Sequence, residues 1–341
     1  RGAIFQTTID SEVICYVIAR ERLKCHSVED AVARTMQVIE GAYSLLVMSP
    51  RKLIAARDPH GFRPLCMGKY NDSYVFASES AALDACGAEF VRDVEPGEIV
   101  IVDQNGVRSM KPDFGDKKKA LCIFEYIYFA RSDSFIDGVS VYEARKQAGR
   151  ILARKYPVEA DMVCAVPDCG IDAAIGYSMQ SGIQYGVGLV KNRFIGRAHN
   201  NRKKHAQYNL RIKLNAMKSN VQGKRIVLID DSIVKGETSK HIVSMLKKAG
   251  AKEVHLRISS PPFKYPCYFG TDIDSTDNLI AAHRSIDEMC AEIGADSLGF
   301  LSIDGLHRIA DECKIDFCDA CFSGDYPIEA SRQSHEDKYS K

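Results

Sequence analysis

Short apolar runs alternate with turn-forming residues over the first third of the chain. The segments between them, such as 58–61 and 96–97, contain Pro, Gly and Asp, which favour turns for backbone reasons. This alternation predicts a β-rich segment of short strands. One amphipathic stretch, Ser27 to Glu40, predicts a helix with Ser27 as its N-cap. The apolar runs themselves lie at residues 43–48, 52–56, 74–77 and 98–102.

The pattern changes after a polar run at residues 111–119 that contains Pro and Gly. Strand-like runs are then separated by amphipathic segments that predict helices at 141–155, 172–181 and 239–249. Strands and helices that alternate at this spacing predict an α/β fold with a mostly parallel sheet covered on both faces. The predicted parts are an α+β segment at 1–112, an α/β domain at 113–325 and a polar tail at 326–341.

Composition and charge narrow the class of protein. The chain has 341 residues, 45% of them hydrophobic, with 46 Lys and Arg against 45 Asp and Glu. This is the composition of a folded globular protein, and the balanced charge gives no general attraction to nucleic acid or a membrane surface. No apolar run approaches the roughly 20 residues of a membrane-spanning helix, and no leader-like segment opens the chain. We therefore expect a cytoplasmic protein.

The strongest candidate site lies at residues 225–239. Four consecutive apolar residues predict a strand buried on both faces, and Asp230 and Asp231 follow at its carboxyl end, where ligands bind in open α/β sheets. The next loop contains Gly236 and leads into a predicted helix, whose free amides favour a phosphate. Adjacent carboxylates beside such a loop suit a sugar diol and a divalent ion. A strand, turn and helix with a solvated acidic cap is the alternative interpretation.

Two further segments suggest anion binding. Residues 161–172 predict a strand, a tight turn and a helix start, whose backbone amides could receive a pyrophosphate. Within that turn, Cys169 is interpreted either as a neighbour of a metal or as a buried structural thiol. The run from Lys191 to Lys213 has eight basic residues and no acidic ones. It could be a solvated face or a nucleic-acid patch, although few aromatic residues are available for base stacking.

Twelve cysteines are scattered without the regular spacing of a disulfide framework, which favours reduced thiols or metal binding. Most lie in apolar surroundings, where a cysteine is commonly a small buried hydrophobe. Cys318 and Cys321 form a Cys-x2-Cys pair, and Cys313 lies upstream. Such a pair can bind zinc when two further thiols converge, or an iron–sulphur cluster.

The 225–239 segment resembles the phosphoribosylpyrophosphate (PRPP) motif of type I phosphoribosyltransferases. Together with residues 57–65, 124–134 and 191–197, it makes the chain similar to the glutamine PRPP amidotransferase family from about residue 3 to about residue 328. The resemblance implies part of an amino-terminal-nucleophile (Ntn) glutaminase domain followed by a type I phosphoribosyltransferase domain. It also implies that ammonia from glutamine passes through an internal channel and replaces the pyrophosphate of PRPP, giving 5-phosphoribosylamine in purine synthesis.

The resemblance assigns roles to individual residues. Asp230 and Asp231 would hold the ribose hydroxyls and magnesium, Lys191 and Lys213 would belong to a basic loop that closes over PRPP, and Asp10, on a strand, would receive the α-amino group of glutamine. Family members usually have Ser or Thr where Cys169 stands beside the metal. The 5′-phosphate loop would contain Ser232, Gly236, Thr238 and Ser239. The ligands of a [4Fe-4S] cluster would be Cys122, Cys267, Cys318 and Cys321.

The resemblance also implies partners. These are PRPP, glutamine or ammonia, purine nucleotides as inhibitors, and further copies of the same chain, without nucleic acid or membrane. The family's nucleophilic cysteine is the first residue of its glutaminase domain, and the present chain opens with Arg1 inside that domain. We therefore expect turnover with free ammonia but not with glutamine. The alternatives are another PRPP-dependent phosphoribosyltransferase and a PRPP-binding regulatory protein without catalysis.

Overall fold

Antiparallel sheets form the first part of the chain, as the alternating pattern predicts. The computed structural model describes residues 5–192, 214–273 and 275–329. One sheet has the strand order β1-β2-β6-β7 and the other β4-β3-β5. The strands are β1 Ser44–Ser49, β2 Lys52–Arg57, β3 Cys66–Tyr70, β4 Ser73–Ala77, β5 Glu89–Asp93, β6 Ile99–Asp103 and β7 Gly106–Met110. The helices of this part are α1 Asp10–Arg22, α2 Val28–Val38 and α3 Ser80–Ala85.

The predicted helix α2 is confirmed, whereas the strand predicted around Asp10 is wrong. The Ser27 hydroxyl accepts a hydrogen bond from the Asp30 amide at 3.1 Å and caps α2. Residues 8–12 do not form the expected strand, because α1 begins at Asp10. The Glu12 carboxylate accepts the amides of Gln6 and Thr7, each at 2.8 Å, and closes the turn that leads into that helix.

The segment from Arg57 to Leu65, which the sequence suggests is a hairpin near the interface between the two predicted domains, instead connects two sheets. Strand β2 pairs with β1 and β6, and β3 pairs with β4 and β5. The turn predicted inside this segment is present: the Asp58 carboxylate accepts three backbone amides, those of residues 60, 61 and 62, at 2.8 to 3.0 Å. The sequence therefore predicts the turn correctly, but it does not predict which strands pair on either side of the turn.

A parallel sheet dominates the second part, in the order β11-β14-β15-β16. Its strands are β11 Met162–Ala165, β14 Arg225–Asp230, β15 Glu253–Ile258 and β16 Ser297–Phe300. The short strands are β8 Leu121–Cys122, β9 Phe135–Ile136, β10 Val139–Ser140, β12 Leu189–Lys191, β13 Leu214–Ala216 and β17 Phe317–Cys318. The helices are α4 Val141–Lys155, α5 Gly170–Ser181, α6 Lys218–Val221, α7 Glu237–Lys248, α8 Ile280–His283, α9 Ile286–Ile293, α10 Ile303–His307 and α11 Ala320–Ser323. Glu125–Phe129 is a π-helical turn and Thr276–Asn278 a 3₁₀ turn.

Strand β14 is buried on both faces, as its unbroken apolar sequence predicts. Val227 and Ile229 pack with α4 and α5 on one face, while Ile226 and Leu228 pack with α7 and α9 on the other. Parallel pairing places Ala165 beside Ile229, so the carboxyl ends of β11 and β14 meet at one edge of the sheet. Loops that follow these two strands are therefore neighbours.

Helices α4 and α5 approach each other closely at two glycines. A Cβ at Gly149 would lie 1.9 Å from the carbonyl oxygen of Ala173, and one at Gly176 would lie 1.9 Å from that of Lys146. The two helices are therefore in backbone contact at these positions, where only glycine fits. In the part of the chain that the structure describes, no helix combines the length and apolar character needed to span a bilayer. The predicted domain boundary after residue 112 stays a prediction.

Candidate active site

The acidic pair lies where the sequence predicts it, at the carboxyl end of a central strand. Asp230 is the last residue of β14 and is buried, and its carbonyl accepts the amide of Ser259 at 2.9 Å. Asp231 donates its own amide to a carboxylate oxygen of Asp230 at 2.9 Å. The Ser232 hydroxyl donates to the carboxylate of Asp231 at 2.5 Å. Backbone and hydroxyl groups thus hold two adjacent carboxylates at the sheet edge.

Burial strongly affects the protonation of this pair. Burial raises the pKa of Asp230 well above its usual range, and the neighbouring charge of Asp231 adds to the rise. Burial also raises the pKa of Asp231, against the opposing effects of the Ser232 hydroxyl and the Arg145 charge. A bound cation would relieve the cost of holding two negative charges so close together at this sheet edge.

The loop after the acids leads into α7. Gly236 adopts a left-handed conformation (φ 80°), and a Cβ there would lie 3.0 Å from the Ile280 side chain, so this position suits glycine. Helix α7 begins at the next residue, and Thr238 and Ser239 lie in its first turn, exposed and buried respectively. The exposed side chain of Glu237 lies on the surface of the same turn. The amino end of this 12-residue helix has free backbone amides, which suit a phosphate. The predicted helix start after the acids is therefore present.

The second predicted loop lies beside the acids. Cys169 immediately precedes α5, and the peptide bond between Pro167 and Asp168 is cis. Burial, followed by the charge of Asp231, raises the pKa of Cys169 to about 11, so the thiol stays protonated at neutral pH. Lys191, at the end of β12, forms an ion pair with Asp168. The fold therefore brings together, at one edge of the sheet, residues that are far apart in the sequence: Lys191, Cys169 and the two acids.

A cavity of about 620 Å³ opens over the acid pair. Its walls include features that sequence reasoning did not assign to the site. Phe124, Tyr128 and Phe129 form an aromatic wall, and Thr271–Ile273 line another side. The sequence points to these aromatic residues only through the family resemblance, because nothing local indicates that a π-helical turn would face the sheet edge. The residues that line the cavity from the acid loop are Asp230, Asp231, Ser232, Ile233, Val234, Lys235, Gly236, Glu237, Thr238 and Ser239.

Arg145, on helix α4, also belongs near the site and was not predicted from the sequence. It is 5% exposed in the middle of α4, on the same face as the buried Val141 and Ala148. Its charge opposes the rise in the pKa of both Asp231 and Cys169. An arginine on the apolar stripe of an amphipathic helix is the signal that could have identified it, because a buried charge requires partners.

The four cysteines proposed as cluster ligands converge on a separate region. Parallel pairing of β8 with β17 makes Cys122 and Cys318 direct partners. Burial raises the pKa of Cys321, and the charges of the three other thiols raise it further. The amide of Phe269 donates to the sulphur of Cys267 at 3.4 Å. These four cysteines are free thiols.

The structure does not arrange these four cysteines around a single ion. Among the described residues, no three or more His, Cys, Asp or Glu side chains are arranged to hold a single metal ion. Zinc would require its ligands around one point, whereas a cubane cluster binds each thiolate through a different iron. Arg63 lies close enough for the charges of Cys122 and Cys267 to raise its pKa. A cation in that position would balance the negative charge of four thiolates.

The sequence predicts two further site residues, Asp10 and Lys213. Asp10 opens α1 instead of lying on a strand, so the predicted local setting for binding the glutamine amino group is wrong. Its role in binding glutamine stays a prediction. Lys213 and most of the basic run lie outside the described residues. Only Lys191 and Asn192 of that run are described.

Comparisons with known proteins agree across nearly the whole chain. Residues 1–85 match the glutamine amidotransferase domain family. The amidophosphoribosyltransferase of Archaeoglobus fulgidus is 45% identical over 338 residues, covering 98% of this chain and 74% of that protein. The amidophosphoribosyltransferase of Bacillus subtilis is also 45% identical, over 334 residues that cover 96% of this chain and 70% of that protein.

A solved structure gives the same result in three dimensions. The glutamine PRPP amidotransferase of B. subtilis, in complex with ADP and GMP, superposes with a TM-score of 0.90 at 44% identity. The match covers 97% of this chain and 73% of the solved chain. The α/β fold class, with a glutaminase part and a phosphoribosyltransferase part, is therefore confirmed.

Proposed function

The chain belongs to the amidophosphoribosyltransferase family, whose enzymes are glutamine-dependent pentosyltransferases of purine biosynthesis, and we propose that its PRPP site is the cavity above Asp230 and Asp231. The observation that carries this proposal is the acid pair at the end of β14 beside the amino end of α7. Adjacent carboxylates suit the two hydroxyls of a ribose, and the helix amides suit its 5′-phosphate.

The proposed binding mode assigns each end of the substrate to a separate loop. The ribose 5′-phosphate lies on the Ser232–Ser239 loop, with Thr238 and Ser239 as hydroxyl donors. The pyrophosphate lies on the Val166–Cys169 loop, near the Lys191 ammonium group that pairs with Asp168. Ammonia then adds to C1 of the ribose as the C1–O bond to pyrophosphate breaks, giving 5-phosphoribosylamine. Catalysis here consists of positioning and charge stabilisation, since no side chain forms a covalent bond with the sugar.

Magnesium fits the oxygen donors of this site. Asp230 and Asp231 would hold it directly or through the sugar hydroxyls, because magnesium prefers carboxylate and phosphate oxygens and retains several waters. When bound, the ion supplies positive charge to the departing pyrophosphate. The thiol of Cys169 is a poor ligand, because its raised pKa keeps it protonated and magnesium prefers oxygen. We therefore assign Cys169 a packing role beside the ion.

We further propose that Cys122, Cys267, Cys318 and Cys321 hold a [4Fe-4S] cluster. Convergence of the four free thiols, the amide donated to Cys267 and the nearby Arg63 support this assignment. The cluster would cross-link β8, β17 and α11 and so stabilise the fold, because the reaction transfers no electrons. Anaerobic purification should give a brown protein with broad visible absorption. A colourless protein that binds one zinc ion would contradict the proposal.

Purine nucleotides are the proposed regulators, and further copies of the chain the proposed partners. The relative from B. subtilis was solved with ADP and GMP, and another similar structure is described as the allosteric regulatory enzyme of purine biosynthesis. Inhibition by these nucleotides can be measured by titrating each into the ammonia-dependent assay. No change in rate at millimolar nucleotide would contradict it.

Calorimetry with magnesium and PRPP tests the central proposal. Wild-type protein should bind PRPP in the presence of magnesium, and the double substitution Asp230→Asn with Asp231→Asn should abolish the binding heat. Asp287→Asn is the matched control, because it removes an exposed carboxylate from the first turn of α9. Pyrophosphate release from PRPP with ammonium as the nitrogen source should follow the same order. Absence of binding by wild-type protein, or equal binding by the double variant, would refute the proposal.

A further inference from the structure

Arg145 joins segments that surround the PRPP cavity. Its Nε donates to the carbonyl of Tyr126 at 2.8 Å, and its Nη2 donates to the carbonyl of Ala130 at 2.7 Å. These carbonyls belong to the π-helical turn that carries the aromatic wall and to the residue after it. A buried guanidinium on α4 thus holds the wall of the cavity from behind.

Ser132 and Asp172 extend this contact to the pyrophosphate loop. Nη1 of Arg145 donates to the Ser132 hydroxyl at 3.1 Å, and that hydroxyl donates to the carboxylate of Asp172. The Arg145 nitrogen also lies 3.7 Å from the same carboxylate oxygen. Asp172 is in the first turn of α5, where the helix dipole favours a negative charge. The hydroxyl therefore bridges a fixed cation and the helix that follows the loop.

The first turn of α5 is in close contact with the strand that carries the acids. A Cβ at Gly170 would lie 2.6 Å from the carbonyl oxygen of Ile229, the residue before Asp230. The amide of Val166 donates to that same carbonyl at 2.8 Å. Because such tightly packed backbones transmit displacement instead of absorbing it, a shift of α5 would move the pyrophosphate loop relative to the acid pair.

The segment that carries Ser132 is also held from the β-rich part of the protein. The Glu79 carboxylate, just before α3, accepts the amide of Arg131 at 2.8 Å and the hydroxyl of Ser134 at 2.7 Å. The amide of Phe135 donates to the Ser80 hydroxyl at 2.8 Å. The position of Ser132 therefore depends on both parts of the chain.

We propose that Ser132 and Asp172 are positioning residues for the transferase reaction, which with Arg145 fix the pyrophosphate loop relative to the acid pair. They act through α5 and do not touch the substrate. The inference rests on the proposed function of the cavity and adds residues that set its geometry. The loop contacts the pyrophosphate oxygens both in bound PRPP and as the group departs, so its misplacement removes binding that the two states share, and the effect falls on KM for PRPP more than on kcat.

Steady-state kinetics with ammonium and varied PRPP test this proposal. Ser132→Ala should raise KM for PRPP about tenfold, the size expected for one lost hydrogen bond to a charged group, with kcat within about twofold of wild type. Asp172→Asn should act in the same direction. Ser132→Thr keeps the hydroxyl and should restore KM. Glu79→Ala should raise KM as well, because it releases the segment that presents Ser132.

Ser178→Ala is the matched control on the same helix. The Ser178 hydroxyl donates to the carbonyl of Ile183 at 2.6 Å, near the other end of α5, so its loss should leave KM unchanged. An unchanged KM in Ser132→Ala, or an equal rise in Ser178→Ala, would refute the positioning role. If Ser132→Ala does not fold, Ser132→Cys, with its weaker hydrogen bond, should raise KM by a smaller factor, and an unchanged KM there refutes the role too. Failure of wild-type protein to use PRPP would instead refute the proposed function.

Discussion

Replacing Arg57 by methionine should expose how strongly one buried cation holds the two parts of the protein together. The Arg57 side chain is completely buried at the end of β2. It forms a two-pronged ion pair with Asp137 at 2.8 and 3.1 Å. Its remaining hydrogen bonds go to the carbonyls of Gly61, Arg63 and Val94 at 2.8 to 3.1 Å. Methionine fills much of the volume and supplies none of these donors.

The expected loss of stability follows from the burial of the partners. Removing one member of a buried ion pair typically costs about 3–5 kcal/mol, because the other charge is left uncompensated. An unfolding entropy of about 2.1 cal/mol/K per residue gives about 0.7 kcal/mol/K for 341 residues. Arg57→Met should therefore lower Tm by about 4–7 °C if the whole chain unfolds together.

The loss should also grow with pH. Burial raises the pKa of Asp58 to about 6 and that of Asp93 to about 6, and the Arg57 charge opposes both rises. A carboxyl whose pKa is raised by folding contributes stability at low pH that is lost as pH rises through the folded value. Without Arg57 these pKa values rise further, and each additional unit costs about 1.4 kcal/mol at pH 8. The deficit should therefore be larger at pH 8 than at pH 5.

Thermal unfolding followed by circular dichroism at pH 5 and pH 8 measures both effects. Arg108→Met is the control, because Arg108 also pairs with two carboxylates, those of Glu29 and Asp103, but is 43% exposed in its side chain. Solvent screens the ion pairs of an exposed guanidinium, so this variant should shift Tm much less than Arg57→Met does. Equal shifts for the two variants, or a deficit in Arg57→Met that is the same at both pH values, would refute the reasoning.

Three further outcomes are expected. Binding of PRPP with magnesium should strengthen as pH rises, because the raised pKa values of Asp230 and Asp231 mean that protons compete with the cation; calorimetry at pH 6 and pH 8 that gives one affinity would contradict this. Cys169→Ser should retain or tighten that binding, since a hydroxyl suits magnesium better than a protonated thiol, and a large loss of affinity would show that the sulphur is needed. Gly149→Ala should lower Tm sharply or prevent folding, because its Cβ would lie 1.9 Å from a carbonyl oxygen of the neighbouring helix. The control Gly182→Ala lies in open space at φ 76°, so it should lower the free energy of unfolding by only about 1 kcal/mol, through left-handed backbone strain.

The second part of the chain was predictable because its signals are local. Helix α4 was predicted at 141–155 and is found at Val141–Lys155. An uninterrupted apolar run followed by two acids predicts β14 with the acids at its carboxyl end, since only a strand covered on both faces needs such a run. The position of the candidate site could be predicted for the same reason, because the loop after a parallel strand lies at the sheet edge where the other loops meet.

The first part was less predictable because its decisive contacts are between distant residues. The pairing of β2 and β3 with different sheets depends on partners far along the chain, which a turn motif at residues 58–61 does not reveal. Helix α1 was missed for a different, local reason: the Glu12 carboxylate closes the turn before it through the amides of Gln6 and Thr7, which a strand pattern does not reveal. Strand propensity is weak evidence for a strand when the sequence does not show which segment would pair with it.

Arg63 shows why the two candidate sites cannot be treated as independent of the β-rich part. It lies beyond β2, yet its guanidinium donates to the Glu125 carboxylate at 2.6 Å and stands 4.7 Å from the ring centre of Phe129 in the cavity wall. The charges of Cys122 and Cys267 raise the pKa of the same guanidinium. One side chain thus lies beside both the cysteines and the aromatic wall. A displacement of the β-rich part that carries Arg63 would therefore change the surroundings of the cysteines and the shape of the proposed PRPP cavity together.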